Sequence, residues 1–239
     1  MKHEPIILST KVLRPDVQLA ASQNEVELLM ADFIMIDFID PGESAKEILS
    51  SHHPLILTSQ QGVRALEKIS YDGKTGFKNR DVYCIAGETR KATELIPSLY
   101  IIGTAVNAVS LAELIIDQNR SQTYHYICGT SRRDALPELL KAAGKAVKEY
   151  PLYRTVLTGS KITTFFDAVL FFSPSGADSF FQSNLLSNDV PCFCIGETTA
   201  AAVEGHGGRV AGIAAEPDQR KVLETAISYF KKSRKKQRL

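Results

Sequence analysis

Long apolar runs are absent from this 239-residue sequence. Its unbroken apolar stretches, such as Val169 to Phe172, are far shorter than the roughly 20 residues of a membrane-spanning helix. The N-terminus places His3, Glu4 and Pro5 ahead of only a short apolar run, which does not match a secretory signal. We therefore expect a cytoplasmic protein with no membrane partner.

Cysteine is scarce and lacks the spacing of a metal site. Cys84, Cys128, Cys192 and Cys194 lie inside apolar, strand-like segments, and none belongs to a CxxC pair with a matching partner. The histidines supply no regular ligand spacing either. The pattern favours buried thiols in a reducing compartment and predicts no metal site.

Several catalytic motifs are also missing. The sequence contains no GxGxxG after a strand, no GxxxxGK followed by Ser or Thr, no HExxH and no GxSxG. Dinucleotide, nucleoside triphosphate, zinc protease and serine hydrolase functions therefore lack their key residues. An acidic stretch with Asp37, Asp40 and Glu43 fits a solvated linker as well as it fits paired general acids.

The net charge of +1 hides an uneven distribution. Six of the 28 basic residues lie in the last nine positions, and without them 22 basic residues face 27 acidic ones. An acidic body argues against a broad nucleic-acid-binding face. The basic tail is typical of a solvated terminus, with a weak RNA or membrane-surface contact as the alternative.

Short apolar strands alternate with helical segments along the chain. The clearest strands are expected at Pro5–Leu8, Pro54–Leu57, Val82–Ala86, Tyr124–Cys128, Ala168–Phe172 and Cys192–Ile195. Helical spacing is expected at Val63–Ile69, Arg90–Ile96, Leu111–Ile116, Asp134–Ala143, Phe180–Leu186, Thr198–Glu204 and Arg220–Phe230. This alternation predicts doubly wound α/β architecture with parallel sheets.

Two turn sequences recur, which indicates a duplicated α/β unit. Leu57–Gly62 resembles Phe171–Gly176, and Ala86–Thr89 resembles Ile195–Thr198. The segment before Phe33 is too short to form a core alone. We expect one discontinuous domain from residues 1–33 and 155–239, an inserted domain from residues 38–149, and two linker strands at 34–37 and 150–154.

Small polar residues follow five of the expected strands. In doubly wound folds these positions line the ligand crevice, where helix N-termini present free N–H groups to anions. The candidate substrate-binding residues are Thr58, Ser59, Gln60, Gly87, Arg90, Gly129, Thr130, Ser131, Arg132, Ser173, Ser175, Gly176, Gly196, Thr198 and Thr199. A single such turn is compatible with ordinary helix capping. Five of them in two matching sets favour a polyanionic ligand held between the domains.

The order of these turns resembles the uroporphyrinogen-III synthase family over nearly the whole chain. The matching stretches are Cys128–Pro137, Tyr153–Thr155, Phe171–Gly176, Ile195–Ala200 and Ala215–Pro217. The resemblance implies two α/β domains joined by a two-stranded ladder, a cleft between them and no cofactor. It also implies that hydroxymethylbilane, a linear tetrapyrrole with acetate and propionate arms, is cyclised to uroporphyrinogen III with loss of water and inversion of ring D.

Individual residues acquire expected roles from the same resemblance. Tyr153 matches the family's functional tyrosine and is the expected catalytic proton donor, with a hinge-packing aromatic as the alternative. Ser173 and Thr199 match hydroxyl positions expected to bind carboxylate arms. The turn at Gly87 departs from the family's Gly-x-x-Thr, because its fourth residue is Arg90; either Arg90 supplies the contact or this turn is unused.

Local positive potential for a polyanion is expected from six cationic side chains. They are Lys11, Arg14, Arg64, Arg90, Arg132 and Arg154. The expected partners are the polycarboxylate substrate and, as an open question, the preceding pathway enzyme. No nucleic acid partner is expected, and the protein is expected to be a monomer. The alternative function is a two-domain α/β binding or sensor protein that closes on a small polyanion without reacting it.

Overall fold

The computed structural model of the chain describes residues 4–72, 79–131 and 135–236. The chain divides into two compact units. Unit 1 consists of Met1–Met35 and Val156–Leu239, and unit 2 consists of Ile36–Thr155. Unit 1 is therefore built from the two parts of the chain that flank unit 2.

Strands and helices alternate along most of the described chain. The strands are β1 (Ile6–Ser9), β2 (Glu27–Met30), β3 (Ile34–Phe38), β4 (Leu55–Leu57), β5 (Arg80–Ile85), β6 (Leu99–Ala105), β7 (Thr123–Gly129), β8 (Ala146–Leu157), β9 (Ala168–Phe171), β10 (Pro191–Cys194) and β11 (Arg209–Ile213). The helices are α1 (Pro15–Gln23), α2 (Ser44–Ser50), α3 (Gln60–Asp72), α4 (Glu88–Glu94), α5 (Ala108–Gln118), α6 (Ala135–Ala142), α7 (Pro174–Ser183), α8 (Glu197–Gly205) and α9 (Gln219–Lys236).

Unit 1 contains a five-stranded parallel sheet in the order β11-β10-β9-β1-β2. Side chains of β9 alternate between two buried faces. Ala168 and Leu170 pack with residues of α1 and α9, whereas Val169 and Phe171 pack with residues of α7 and α8. Strands that are apolar on both faces are typical of parallel sheets covered by helices on both sides.

Unit 2 contains a six-stranded sheet in the order β3-β8-β7-β4-β5-β6. The strands from β8 to β6 in this order are mutually parallel. Leu55 and Leu57 of β4 pack with α3, and Ile56 packs with α5 and α6 on the opposite face. Three consecutive apolar residues in a strand are therefore explained by burial on both faces.

Strand β3 pairs with β8 in the antiparallel direction. The backbone N–H of Ile39 donates to the Leu152 carbonyl at 2.9 Å, and the N–H of Thr158 donates to the Phe33 carbonyl at 3.1 Å. Partner numbers rise on one strand as they fall on the other, which defines an antiparallel pair. Both crossings of the chain between the units lie within these two strands.

The doubly wound α/β fold class predicted from the sequence is confirmed, with differences in individual elements. Helix α7 begins at Pro174 instead of Phe180, because Ser173 caps its N-terminus and proline suits the first helical turn. Strands β6 and β11 and helix α2 were not among the expected elements. None of the described helices is long and apolar enough to cross a bilayer.

Candidate functional site

The carboxyl ends of β4 and β7 form the switch point of unit 2. Helix α3, which follows β4, packs on one face of the sheet, and α6, which follows β7, packs on the other. Helices that leave neighbouring strands toward opposite faces open a crevice at the carboxyl edge of the sheet, where doubly wound proteins bind ligands. The turn at Thr58 to Gln60 and the turn at Gly129 to Ser131 both lie at this edge.

Hydroxyl groups are concentrated at this switch point. Thr58 Oγ1 lies 2.9 Å from the phenol oxygen of Tyr126, a side chain that is only 3% exposed. Ser59 Oγ accepts a hydrogen bond from the Gln61 N–H at 3.1 Å, at the first turn of α3. Tyr126 was not predicted as a site residue. It lies within an apolar strand, and the sequence does not show that its phenol contacts Thr58.

Tyr153, the predicted catalytic residue, lies beside the same turns. It aligns with Gly129 in the ladder between β8 and β7, and its carbonyl accepts a hydrogen bond from the Thr130 N–H at 2.9 Å. A Cβ atom at Gly129 would lie 2.8 Å from the Tyr153 ring, so the ring occupies space that only glycine leaves open. The structure thus brings together four predicted residues: Tyr153, Gly129, Thr130 and Ser59.

Burial raises the pKa of the Tyr153 phenol above its ordinary value. Hydrogen bonds with the Ser59 side chain and the Gly129 backbone act in the opposite direction, but burial is the larger effect. The phenol is therefore protonated at neutral pH and can donate a hydrogen bond. Thr130 and Ser131 are exposed beside it, and Thr58, Ser59 and Gln60 are half-buried.

The corresponding switch point of unit 1 lies between β1 and β9. Helix α1 follows β1 on one face, and α7 follows β9 on the other. Ser173 Oγ accepts the Gly176 N–H at 3.0 Å and lies 3.3 Å from Ser175 Oγ, so three predicted residues meet here. Thr10, which follows β1, was not predicted as a site residue; its hydroxyl donates to the Leu170 carbonyl at 2.9 Å.

The turn from β10 to α8 exposes one of its two threonines. Gly196 lies at the N-cap of α8 in an extended conformation, with open space around it. Thr198 is exposed in the first turn, whereas Thr199 is only 2% exposed. Of these two predicted hydroxyls, Thr198 is the more accessible to a ligand.

The turn from β5 to α4 has a different arrangement. Gly87 adopts a left-handed φ of +80°, a conformation that favours glycine. Thr89 is buried, and the Arg90 side chain is exposed and forms a hydrogen-bonded ion pair with Glu94 at 2.8 Å. Arg90 is thus already engaged with a neighbour on its own helix. Arg132, another predicted binding residue, lies outside the described residues.

Two other expected cations are held in ion pairs. Arg14 contacts Asp16 and Asp218, and Arg154 contacts Asp37 at 2.6 Å. Arg64 is exposed on the second turn of α3, next to the switch point of unit 2. Within the described ranges no group of three or more His, Cys, Asp or Glu side chains is placed to hold a metal ion.

The fold and these turns define a class of protein: an α/β protein with two parallel sheets, each carrying hydroxyl and amide groups at its switch point. A family profile described as uroporphyrinogen-III synthase HemD matches residues 18–224. The chain belongs to the uroporphyrinogen-III synthase HemD family. A search of curated proteins found no match.

Solved structures of low sequence identity share the fold. The uroporphyrinogen-III synthetase of Helicobacter pylori is 17% identical, with a TM-score of 0.66 over 95% of this chain and 100% of that chain. A mutant uroporphyrinogen III synthase of Thermus thermophilus is 12% identical, with a TM-score of 0.66 over 97% and 99% of the two chains. The wild-type Thermus enzyme in another crystal form has a TM-score of 0.54 at 14% identity, over 98% of this chain and 100% of that one.

Family membership confirms the predicted function. The protein is an enzyme of the lyase class that cyclises hydroxymethylbilane in tetrapyrrole biosynthesis. Its substrate is a small molecule.

Proposed function

We propose that the turns at the two switch points bind the carboxylate arms of hydroxymethylbilane and that Tyr153 is the proton donor of the reaction. The observation that carries this proposal is the position of the Tyr153 phenol, packed on Gly129 and hydrogen-bonded with Ser59 at the carboxyl edge of the unit 2 sheet. A protonated phenol at an edge where several predicted binding turns lie is placed to act on a ligand bound there.

Carboxylate binding by these turns follows from their chemistry. Helices α3 and α7 begin at Gln60 and Pro174. Ser59 and Ser173 cap the N–H groups of Gln61 and Gly176, and the backbone N–H groups of Gln60 and Ser175 lie at the same helix ends. These groups and nearby hydroxyls, such as that of Ser175, donate hydrogen bonds that suit an anion. Carboxylates bound at several such turns would hold a flexible chain in one conformation, which is how an enzyme favours one ring closure over another.

The role of Tyr153 follows from its protonation state. Departure of the substrate's hydroxyl as water requires a proton, and the phenol can donate a hydrogen bond to that oxygen as the carbon–oxygen bond breaks. Burial keeps the phenol protonated, since it raises the pKa of Tyr153. The resemblance implies that the substituted pyrrole carbon of ring D then attacks first, which yields the inverted ring.

The proposal is tested by the isomer distribution of the product. Purified wild type and Tyr153→Phe are supplied with hydroxymethylbilane, and the oxidised porphyrin isomers are separated. We expect Tyr153→Phe to form the type III isomer about 100-fold more slowly, as is typical for loss of a general acid. The type I isomer, in which ring D is not inverted and which forms when the bilane closes without the enzyme, should then dominate.

Tyr100→Phe is the matched control, because Tyr100 is half exposed on β6 in the same unit and is not part of the site. We expect this variant to retain the wild-type rate. A Tyr153→Phe variant that also retains it would exclude the donor role, and the residue would then be a packing aromatic.

We also propose that the protein is a monomer and that it is cytoplasmic. We further propose that it receives hydroxymethylbilane directly from the preceding enzyme. Four buried free thiols favour a reducing compartment. Light scattering of the active protein tests the first point, since a stable dimer at assay concentration would contradict it. Competition from the slow Tyr153→Phe variant in a coupled assay with the preceding enzyme tests the transfer.

A further inference from the structure

We propose that unit 2 has a second binding site, a groove between α2 and α3 that takes a small amphipathic carboxylate. The α2–α3 groove is a cleft of about 580 Å³ lined by residues of α2 and α3 and by the facing parts of β3 and β8. Its volume lies within the roughly 300–1,000 Å³ of pockets that bind drug-sized ligands.

Small side chains keep the groove open. Ala45 of α2 and Ala65 of α3 both line it, at positions where larger residues would fill the space between the helices. Ile69, one turn after Ala65 on the same face of α3, and Leu152 of β8 complete an apolar floor. This floor provides a surface for an apolar ligand body.

The apolar lining of the groove is incompletely covered. Phe38, Ala45 and Leu49 pack against the core cluster beneath them, yet each remains only partly buried. A concentrated apolar surface open to solvent is a common property of binding sites, because burying it against a ligand is favourable.

Charge at the rim favours an anionic head group. Lys46 and Lys68 are both exposed at the groove, and Lys68 Nζ lies 4.1 Å above the centre of the Phe38 ring. Asp40 is the acidic residue of the lining, and its carboxylate accepts the Gly42 N–H at 2.9 Å. Two cations against one acid at the edge of an apolar floor are complementary to a molecule with an apolar body and one carboxylate.

The groove is separate from the candidate catalytic site. Helix α3 begins at Gln60, beside Ser59 and the carboxyl edge of the sheet, whereas Lys68 lies eight residues further on. At about 1.5 Å per residue this is roughly 12 Å along the helix axis. The proposal therefore does not depend on the assignment of Tyr153.

Calorimetric titration with dodecanoate tests the proposal. We expect one site per chain in the wild type. In Lys46→Met/Lys68→Met we expect affinity to fall roughly fivefold or more, because two attractive charges are lost. In Ala45→Phe we expect binding to be abolished, because the new ring fills the cleft. Unchanged melting temperatures would show that both variants are folded.

Lys91→Met/Lys141→Met is the matched control, since it removes the same charge from α4 and α6, away from the groove. This variant should bind dodecanoate as the wild type does. An absence of binding by the wild type, or equal loss of affinity in both double variants, would overturn the proposal. Self-association of the wild type that Ala45→Phe abolishes would instead assign the groove to a second copy of the chain, and would also overturn it.

Discussion

Units 1 and 2 share one architecture but bury different polar groups. Among the described residues, the buried polar side chains of unit 1 are hydroxyls: Ser9, Thr10, Ser179 and Thr199. In the part of the chain that the structure describes, unit 2 also buries three basic side chains: Arg80, His125 and Lys145. Across these described ranges, unit 2 therefore buries basic groups of a kind that unit 1 does not, and the protonation of His125 adds a pH-dependent contribution to the stability of unit 2.

Arg80 shows what the buried charge of unit 2 does. It is 1% exposed, and it donates to the carbonyls of Ile48 and Ser51, at the end of α2, and to the carbonyl of His53. Burial lowers the pKa of Arg80, but an arginine remains charged at any ordinary pH. The guanidinium thus satisfies carbonyl groups that the helix end would leave without partners.

The two switch points also differ in their polar side chains, and unit 2 again has the wider range of chemical groups. Ser173, Ser175 and Thr10 supply hydroxyls in unit 1, where Ser173 already serves as a helix cap. Unit 2 adds the phenols of Tyr126 and Tyr153. Under the proposed function, unit 1 would contribute binding groups, and unit 2 would contribute both binding groups and the proton donor.

The largest stability difference is expected in acid. Burial, the largest cause, and the nearby Arg80, His53 and Lys148 together lower the pKa of His125 to about 4, with Glu47 acting in the opposite direction. An unfolded histidine has a pKa near about 6.5, so the unfolded chain takes up the proton first. Unit 2 should be fully stable above about pH 6.5 and should lose up to roughly 3 kcal/mol as the pH falls toward about 4.

Urea unfolding of wild type and His125→Gln at pH 7 and pH 4.5 measures this effect. The wild type should lose more stability between the two pH values than the variant does, and early proteolytic cleavage in acid should map to unit 2. Equal losses in the two proteins, or cleavage confined to unit 1, would contradict the contrast between the units.

A smaller effect is expected from an added methyl group at Gly129. Its Cβ would lie 2.8 Å from the Tyr153 ring, so Gly129→Ala should destabilise unit 2 by about 1–3 kcal/mol through overpacking. The displaced ring should also lower kcat by roughly tenfold or more. Thermal unfolding and steady-state kinetics of the purified variant measure both effects.

Gly196→Ala is the matched variant in unit 1, because open space surrounds Gly196 and its φ of −176° is available to any residue. Its unfolding free energy should change by less than about 0.5 kcal/mol. If the two alanine variants lose equal stability, the close packing of Tyr153 on Gly129 is not a special feature of unit 2.

The smallest effect on stability is expected at Ser173 of unit 1, where two substitutions can separate helix capping from substrate binding. Ser173→Ala should cost about 1 kcal/mol of stability through loss of the α7 cap, whereas Ser173→Gly should cost only a few tenths. If Ser173 also binds substrate, both variants should raise KM. Asn107→Ala removes the equivalent cap of α5 in unit 2 and should cost similar stability without a change in KM. Unchanged KM in both Ser173 variants would limit that residue to capping.

The sequence predicted the elements whose patterns are strong. Strands such as β4 and β9 were predictable because every residue is apolar, and the turns after them because Ser and Gly mark helix starts. Strand β6 was missed because it lies at the sheet edge, is mostly half-buried and is interrupted by Gly103. Helix α2 was missed because Ile48 is its one fully buried residue, which leaves little helical periodicity.

The candidate site was predictable only as a set of turns. The sequence indicated that Ser59, Gly129 and Ser173 follow strands, but contacts such as Thr58 with Tyr126 depend on which strands are neighbours. Thr199 is buried and Thr198 is exposed because of the way α8 is oriented on the sheet. The sequence alone does not show this orientation. The boundaries of independently folding domains stay a prediction.

Hydrogen–deuterium exchange with an unreactive bilane analogue tests whether both sheets bind substrate through the amides at their carboxyl edges. We predict slower exchange at residues 59–62, 129–131, 175–176 and 197–199, and unchanged exchange at the opposite edges, near Thr123 and Pro191. Unchanged exchange at these turns, with slower exchange elsewhere, would show that the substrate binds at another place.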